Sequence, residues 1–189
     1  MNITYFLDNL SMEKLSIICL LVLFASCNRT PKMELSGVGD SASVSQPADL
    51  PYKASYSSSF NNNVSDADLK MVLMTYKDWS GGNMKALEAA MADTIEYDMN
   101  SGKHLKLARP ALMKMWNTSR DSLKSVTIDM EAWNKMYSTD KKDSFIVTWY
   151  KETDTYKTGK IDSAHYHDIN QVKNGKIVWY SQYKRPSKP

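Results

Sequence analysis

The chain is short of cysteine: only Cys19 and Cys27 occur in 189 residues, and both stand near its N-terminus. Disulfides therefore play no part in folding the remainder, although an oxidising compartment would have allowed them. Histidine is as scarce, with His104, His165 and His167 exhausting it. His165 and His167 alternate onto one strand face, but only His104 remains to complete a metal site, so no metal is expected. Neither Cys-x-x-Cys nor His-Glu-x-x-His occurs, and a Gly-rich phosphate loop and a Ser nucleophile elbow are also missing. Nucleotide, thiol and zinc-protease chemistry thus lack the residues that carry them, and no cofactor is expected. Charge of one sign is lacking too. A formal charge of +3 on a chain with 24% charged residues, without a Lys/Arg block, leaves no nucleic-acid footprint.

Long hydrophobic runs are absent with one exception. Leu15 to Phe24 reads Leu-Ser-Ile-Ile-Cys-Leu-Leu-Val-Leu-Phe, about the length of a signal-peptide core and too short to cross a bilayer as a helix. Met12-Glu13-Lys14 in front of it carries one basic residue and makes Met12 an alternative start. Behind it, Leu23-Phe24-Ala25-Ser26-Cys27 resembles the bacterial lipobox, whose small residues suit the lipoprotein peptidase and whose cysteine thiol receives diacylglycerol. Phe24 departs from the pattern, standing where leucine is commonest. The expectation is a signal peptide over residues 1–26, lipidation at Cys27, and a membrane partner reached through that lipid. An ordinary secretory cleavage site with an incidental cysteine is the competing reading. Asn28 is not the aspartate that resembles an inner-membrane retention signal, so placement in the cell envelope at the outer membrane is expected.

Residues 27–63 are Ser-rich, carry Pro31, Pro47 and Pro51, and show no apolar period. Such a segment cannot bury enough surface to offset its ordering entropy, which predicts a flexible tether. Tyr52, Tyr56 and Phe60 near its end allow the alternative, a loop docked on the domain downstream. From residue 64 to 189 the pattern becomes that of one folded domain. Ser65 followed by Asp68 is capping-box-like, and Leu69, Val72, Leu73, Tyr76 and Trp79 recur at helical spacing until Gly81-Gly82. Asn83 caps a shorter helix with Met84, Leu87 and Met91 on one face. Thr94 to Met99 alternates as a strand, Ser101-Gly102 turns it, and Pro110 opens a third helix carrying Leu112 and Trp116.

From Val126 the period drops to two: Val126, Ile128 and Met130, then Phe145, Val147 and Trp149, then runs over 160–172 and 176–183. Asn174-Gly175 between the last two is the clearest hairpin signal. Helices followed by a meander predict an α+β fold, three N-terminal helices against a curved antiparallel sheet.

This order resembles the nuclear transport factor 2-like superfamily, which includes SnoaL-like polyketide cyclases and ketosteroid isomerase. The residues that carry it are Tyr76 to Trp79 before Gly-Gly-Asn-Met-Lys-Ala-Leu, Met91-Ala-Asp-Thr-Ile, Gly102 to Leu112 ending in Ala-Arg-Pro-Ala-Leu, and Asn174-Gly-Lys-Ile. Ala108 stands where the family usually has glycine. The resemblance implies a cone with an apolar cavity open at one end, a fold that hosts enzymes, binding modules and inert dimerisation domains alike.

Ketosteroid isomerase uses an aspartate base with a tyrosine and a protonated aspartic acid at the oxyanion. By resemblance Tyr76 matches the tyrosine and Asp168 the oxyanion acid. Asp98 matches the base if the alignment is anchored on Asp93, whereas anchoring on Gly102 puts Met99 there. Alternation sets Ile95, Tyr97 and Met99 on one side and Asp98 on the other, so Asp98 is expected to face solvent. Asp168 shares its side with Tyr166 and Asn170, either as a wet face or as the lining of a pocket. Candidate lining residues are therefore Tyr166, Asn170, Tyr180, Gln182 and Trp116. Trp179 and Tyr183 fall on the opposite side, where an aromatic patch would suit a homodimer across the open sheet face. Three functions are open at this point: a pocket for a small apolar or amphipathic molecule, a proton-transfer enzyme (isomerase, dehydratase or cyclase), or a protein-interaction module.

Overall fold

The computed structural model describes residues 49–187. The apolar run, Cys27 and most of the Ser-rich segment lie outside these residues. The helix ends form where the sequence supplies partners for orphan backbone groups. In α1 (Asp66–Gly81) the Ser65 hydroxyl oxygen accepts from the Asp68 N–H at 3.0 Å, and its own proton goes to the Asp68 carboxylate at 2.8 Å. The helix stops at Gly82, whose φ of 73° favours glycine. Asn83 then caps α2 (Met84–Ala89).

Seven strands form one sheet: β1 (Phe60–Asn61), β2 (Met91–Asp98), β3 (His104–Ala108), β4 (Leu123–Ser138), β5 (Asp143–Tyr156), β6 (Ile161–Lys173) and β7 (Lys176–Pro186), in the order β1-β4-β5-β6-β7-β2-β3. The α3 helix (Arg109–Asp121) lies in sequence between β3 and β4, so two of the described helices precede β2 and the third comes after the β2–β3 hairpin. The sheet also departs from the expected all-antiparallel form, because β2 runs parallel to β7. Tight hairpins dictate antiparallel neighbours, whereas β2 and β7 are separated by β3, α3 and the β4–β6 meander, a connection long enough for either sense. At the last hairpin, Asn174 (φ 52°) and Gly175 (φ 68°) make the tight turn that their residue types predict. Register shifts between Met130 and Ala132 in β4 and between Gln171 and Val172 opposite β7 bend the long strands, which curves the sheet.

The core lies between the helices and the inner face of this sheet, with Val72, Tyr76, Leu87, Leu112 and Met113 meeting Met91, Ile95, Tyr97, Ile146, Tyr150 and Ile177. One face assignment is reversed from the apolar pattern. On β5 the core row is Ile146, Thr148 and Tyr150, whereas Trp149 is 37% exposed and stacks on His167 at 4.8 Å on the outer face. Tyr183 continues the same outer row, 5.9 Å from His167. The residues around Tyr56 are not free of the domain as a tether would be. The Tyr56 phenol donates to Asp143, Ser57 donates to Asp140 at 2.5 Å, and β1 pairs with β4. The expected boundary at residue 64 therefore moves upstream, because these polar side chains find partners on the β4–β5 turn.

Arg120 ties α3 to α1. Its Nε donates to the Trp79 carbonyl at 3.0 Å and its Nη2 to the Ser80 carbonyl at 3.1 Å. A cation there meets the orphan carbonyls and the negative end of the α1 dipole. Arg120→Ala is expected to lower unfolding free energy by about 1.5–3 kcal/mol, the range for hydrogen bonds made by charged groups. Urea denaturation measures this, and a loss under about 0.5 kcal/mol would contradict the assigned role.

Candidate functional site

Between α1, α3 and the inner face of the sheet lies a cavity of about 280 Å³. The period-two alternation of β6 and β7 supplies Tyr166 and Asn170 from one strand and Tyr180 and Gln182 from the next, while Trp116 comes from α3 and Tyr76 and Trp79 from α1. Aliphatic surface comes from Leu87, Met91 and Ile177.

Behind this lining sits Asp168, fully buried. Its Oδ2 accepts from three phenols: Tyr150 and Tyr180 at 2.9 Å each and Tyr76 at 3.1 Å. Its Oδ1 is buried with no hydrogen-bond partner. A second tier holds the phenols. Thr148 Oγ1 lies 2.7 Å from the Tyr76 oxygen, Asn170 donates to that oxygen at 3.3 Å, and Gln182 donates to Tyr180 at 2.8 Å and Tyr150 at 3.3 Å. Burial pushes the Asp168 carboxyl up to about 7, against the pull of Tyr180, Tyr150, Tyr76 and Gln182 in the other direction. The same burial, and after it the Asp168 charge, raises Tyr76, Tyr150 and Tyr180 well above the usual phenol range, so they remain protonated donors.

Of the described residues lining the cavity, Glu152 is the one carboxylic acid. Burial comes first in raising it to about 8, then the charges of Asp154 and Asp168, while the Trp79 side chain and Lys184 act oppositely. Near neutral pH this side chain is therefore mostly protonated.

The structure brings together Tyr76, Tyr166, Asn170, Tyr180, Gln182 and Trp116 around the cavity, with Asp168 bonded to the phenols of Tyr76 and Tyr180 from behind. Asp98 is not part of this group. Its Oδ1 lies 2.6 Å from His104 Nδ1, its Oδ2 accepts from the Trp179 indole at 2.8 Å, and its side chain is 38% exposed. Tyr97, one residue earlier, takes the inward place. The three-residue set that the resemblance implied when anchored on Asp93 is thus incomplete at the cavity, because the Asp98 carboxylate lies outside it. Three residues that matter here, Thr148, Tyr150 and Glu152, escape the sequence reading because the alternating row Phe145, Val147 and Trp149 is the more apolar one. The legible signal is the other row, whose Thr, Tyr and Glu pair across the ladder with Asp168, Tyr166 and Ala164. His165 binds Glu131 at 3.0 Å, and no group of three or more metal-ligating side chains occurs among the described residues.

A helix-flanked, curved, mostly antiparallel sheet around a pocket defines an α+β pocket domain. Its fold is the nuclear transport factor 2-like fold, as superposition on solved structures shows. A structure named as a SnoaL-like polyketide cyclase, from Jannaschia, superposes with a TM-score of 0.52 at 9% identity, covering 66% of this chain and 89% of that one. An epoxide hydrolase of the LEH-like type from M. tuberculosis gives 0.52 at 9% identity over 63% and 83%. A protein with ketosteroid isomerase-like fold from Catenulispora acidiphila, in complex with trimethylamine, gives 0.50 at 13% identity over 60% and 84%. No protein-family profile and no curated protein matches the sequence.

Proposed function

We propose that this domain binds a small, largely apolar or amphipathic molecule in its cavity and is displayed at the cell envelope by a lipid on Cys27. The observation that carries the binding reading is a cavity of about 280 Å³ whose wall is aromatic and aliphatic, with polar groups gathered around Asp168. Pockets of this composition, apolar with a few convergent polar groups and a perturbed acid, are where small ligands bind. A structure of the same fold is complexed with a small molecule, trimethylamine.

Ser119 lines the cavity yet is exposed on α3, so a large side chain there fills the opening without entering the core. The purified protein is expected to enhance and blue-shift the fluorescence of N-phenyl-1-naphthylamine. Ser119→Trp is expected to abolish that signal while leaving the unfolding free energy within about 0.5 kcal/mol of the parent, as for a surface change. Equal binding by both proteins would refute the reading.

For the anchor, metabolic labelling with palmitate is expected to mark the protein, and Cys27→Ala to release it into the soluble fraction unlabelled. A label that survives this substitution would contradict it.

A second reading, proton-transfer catalysis, draws support from Glu152, a cavity-facing carboxyl raised to about 8. Turnover of an unsaturated ketone that breaks near that pH and is lost in Glu152→Gln would favour it.

A further inference from the structure

We infer that the molecule this cavity takes is a small organic ammonium cation, held among the rings of Trp79, Tyr97, Trp116, Tyr166 and Tyr180 and against the Glu152 carboxyl. The inference rests on the cavity being a binding site and adds the chemical class of its ligand.

The lining has a definite electrostatic character. Of its fifteen side chains seven are tyrosine or tryptophan, one is glutamate, and none is lysine, arginine or histidine. The faces of aromatic rings carry negative potential and attract cations, tryptophan most strongly. The phenol protons of Tyr76, Tyr150 and Tyr180 are directed at Asp168, so they are not free to receive an anion. An anionic ligand would meet Glu152 with Asp168 behind it and no compensating charge on the wall.

Glu152 is surrounded by groups from several elements. On β5 itself stand Asp154 and Tyr150, and β6 contributes Asp168 and Tyr166. The cation that acts on it, Lys184 on β7, is bound to Asp162 at 3.2 Å. Trp79 comes from α1 and Tyr97 from β2, Arg120 of α3 acts on Asp154, and Ile128 of β4 pairs opposite Glu152. Acids outnumber bases around this carboxyl, and burial discourages its ionisation further. A bound cation reverses the balance: below about pH 8 Glu152 gives its proton to bulk water and remains as the carboxylate beside the ligand, up to one proton leaving for each cation bound, whereas above that pH it is already the carboxylate.

The test uses choline, whose quaternary nitrogen does not titrate, beside its neutral isostere 3,3-dimethylbutan-1-ol and the anion 3,3-dimethylbutanoate. Calorimetric titration of the full chain at pH 8.5 is expected to show choline binding roughly tenfold or more tighter than the alcohol, with the anion weakest. Choline affinity is expected to fall by up to about tenfold per unit as the pH drops below about 8, while that of the alcohol stays flat. Glu152→Gln should bring choline close to the alcohol and remove its pH dependence, with binding of N-phenyl-1-naphthylamine retained as proof of an intact cavity. Choline no tighter than the alcohol, or a choline affinity independent of pH, overturns the cation assignment. If the naphthylamine enters and choline does not, the cavity reading stands and this one falls. If neither enters, both fall.

Discussion

Acidification from pH 9 to pH 5 is expected to stabilise this domain, by on the order of 4 kcal/mol, where most proteins change little. The origin is chiefly two carboxyls whose protonated forms the fold prefers, Asp168 at about 7 and Glu152 at about 8, with Asp154 raised by burial in the same sense. An acid whose folded pKa lies above its unfolded one binds more protons when folded, so stability declines as pH rises from the unfolded value to the folded one. For these groups the decline runs from about pH 4 to about pH 8 and is complete above it. The Asp168 charge adds to the Glu152 shift, so the two contributions overlap rather than sum. Glu96, Asp140 and Asp162 are held below the usual carboxylate range by their hydrogen-bonding partners, and they act only at the acid side of this window. Asp168→Asn separates the effect from a general acid response, because the amide oxygen still accepts from the phenols while the charge is gone. The variant is expected to show a visibly flatter stability profile and to exceed the parent above pH 8. Urea midpoints across pH decide it, and superimposable profiles would show that Asp168 does not titrate as described.

Leu112→Ala is expected to cost about 2–5 kcal/mol and to lower the melting temperature by roughly 10–20 °C. Leu112 is fully buried and anchors α3 against the core. Truncation removes transfer free energy and leaves a void beside a domain already hollow, so the surroundings have little with which to fill it. Trp116 lies one turn further along the same helix, and its ring packs edge-on to Tyr97 and Tyr180 at 6.2 Å each. The variant should therefore lose naphthylamine affinity as well as stability. A cost below about 1 kcal/mol would mean that α3 is not held by this contact.

Much of the fold is legible in the sequence because its local signals are unopposed. Ser65, Gly82, Asn83, Pro110 and Asn174-Gly175 each stand where a backbone group needs that residue type, and the elements begin and end there. Alternation groups Tyr166, Asp168 and Asn170 on one side of β6 and Tyr180 with Gln182 on one side of β7, but a wet face and a pocket wall have the same pattern, and only the cover of the helices separates them. Face assignment fails on β5, because a pocket floor is polar: Thr148, Tyr150 and Glu152 look like a solvent row until the helices are seen to cover them. The parallel pairing of β2 with β7 has no local signature, since it depends on how a long meander returns. Asp98 shows the opposite case, in which alternation alone puts it outside the cavity while one of the two anchorings of the resemblance puts it within. The hydrogen bond from Trp179 and the contact with His104 agree with the alternation.

The tryptophans provide the most direct test that the hollow is a binding site. The chain has five, of which Trp79 and Trp116 line the cavity, Trp133 and Trp149 are exposed, and the Trp179 indole is bound to Asp98. Nitrogen-15 correlation spectra of the indole groups, recorded while choline or the naphthylamine is added at pH 8.5, should show the Trp79 and Trp116 signals moving in a saturable way. The other three should stay in place. Saturable movement of Trp133 or Trp149 with Trp79 and Trp116 unmoved would put the ligand on the outer surface and contradict the account.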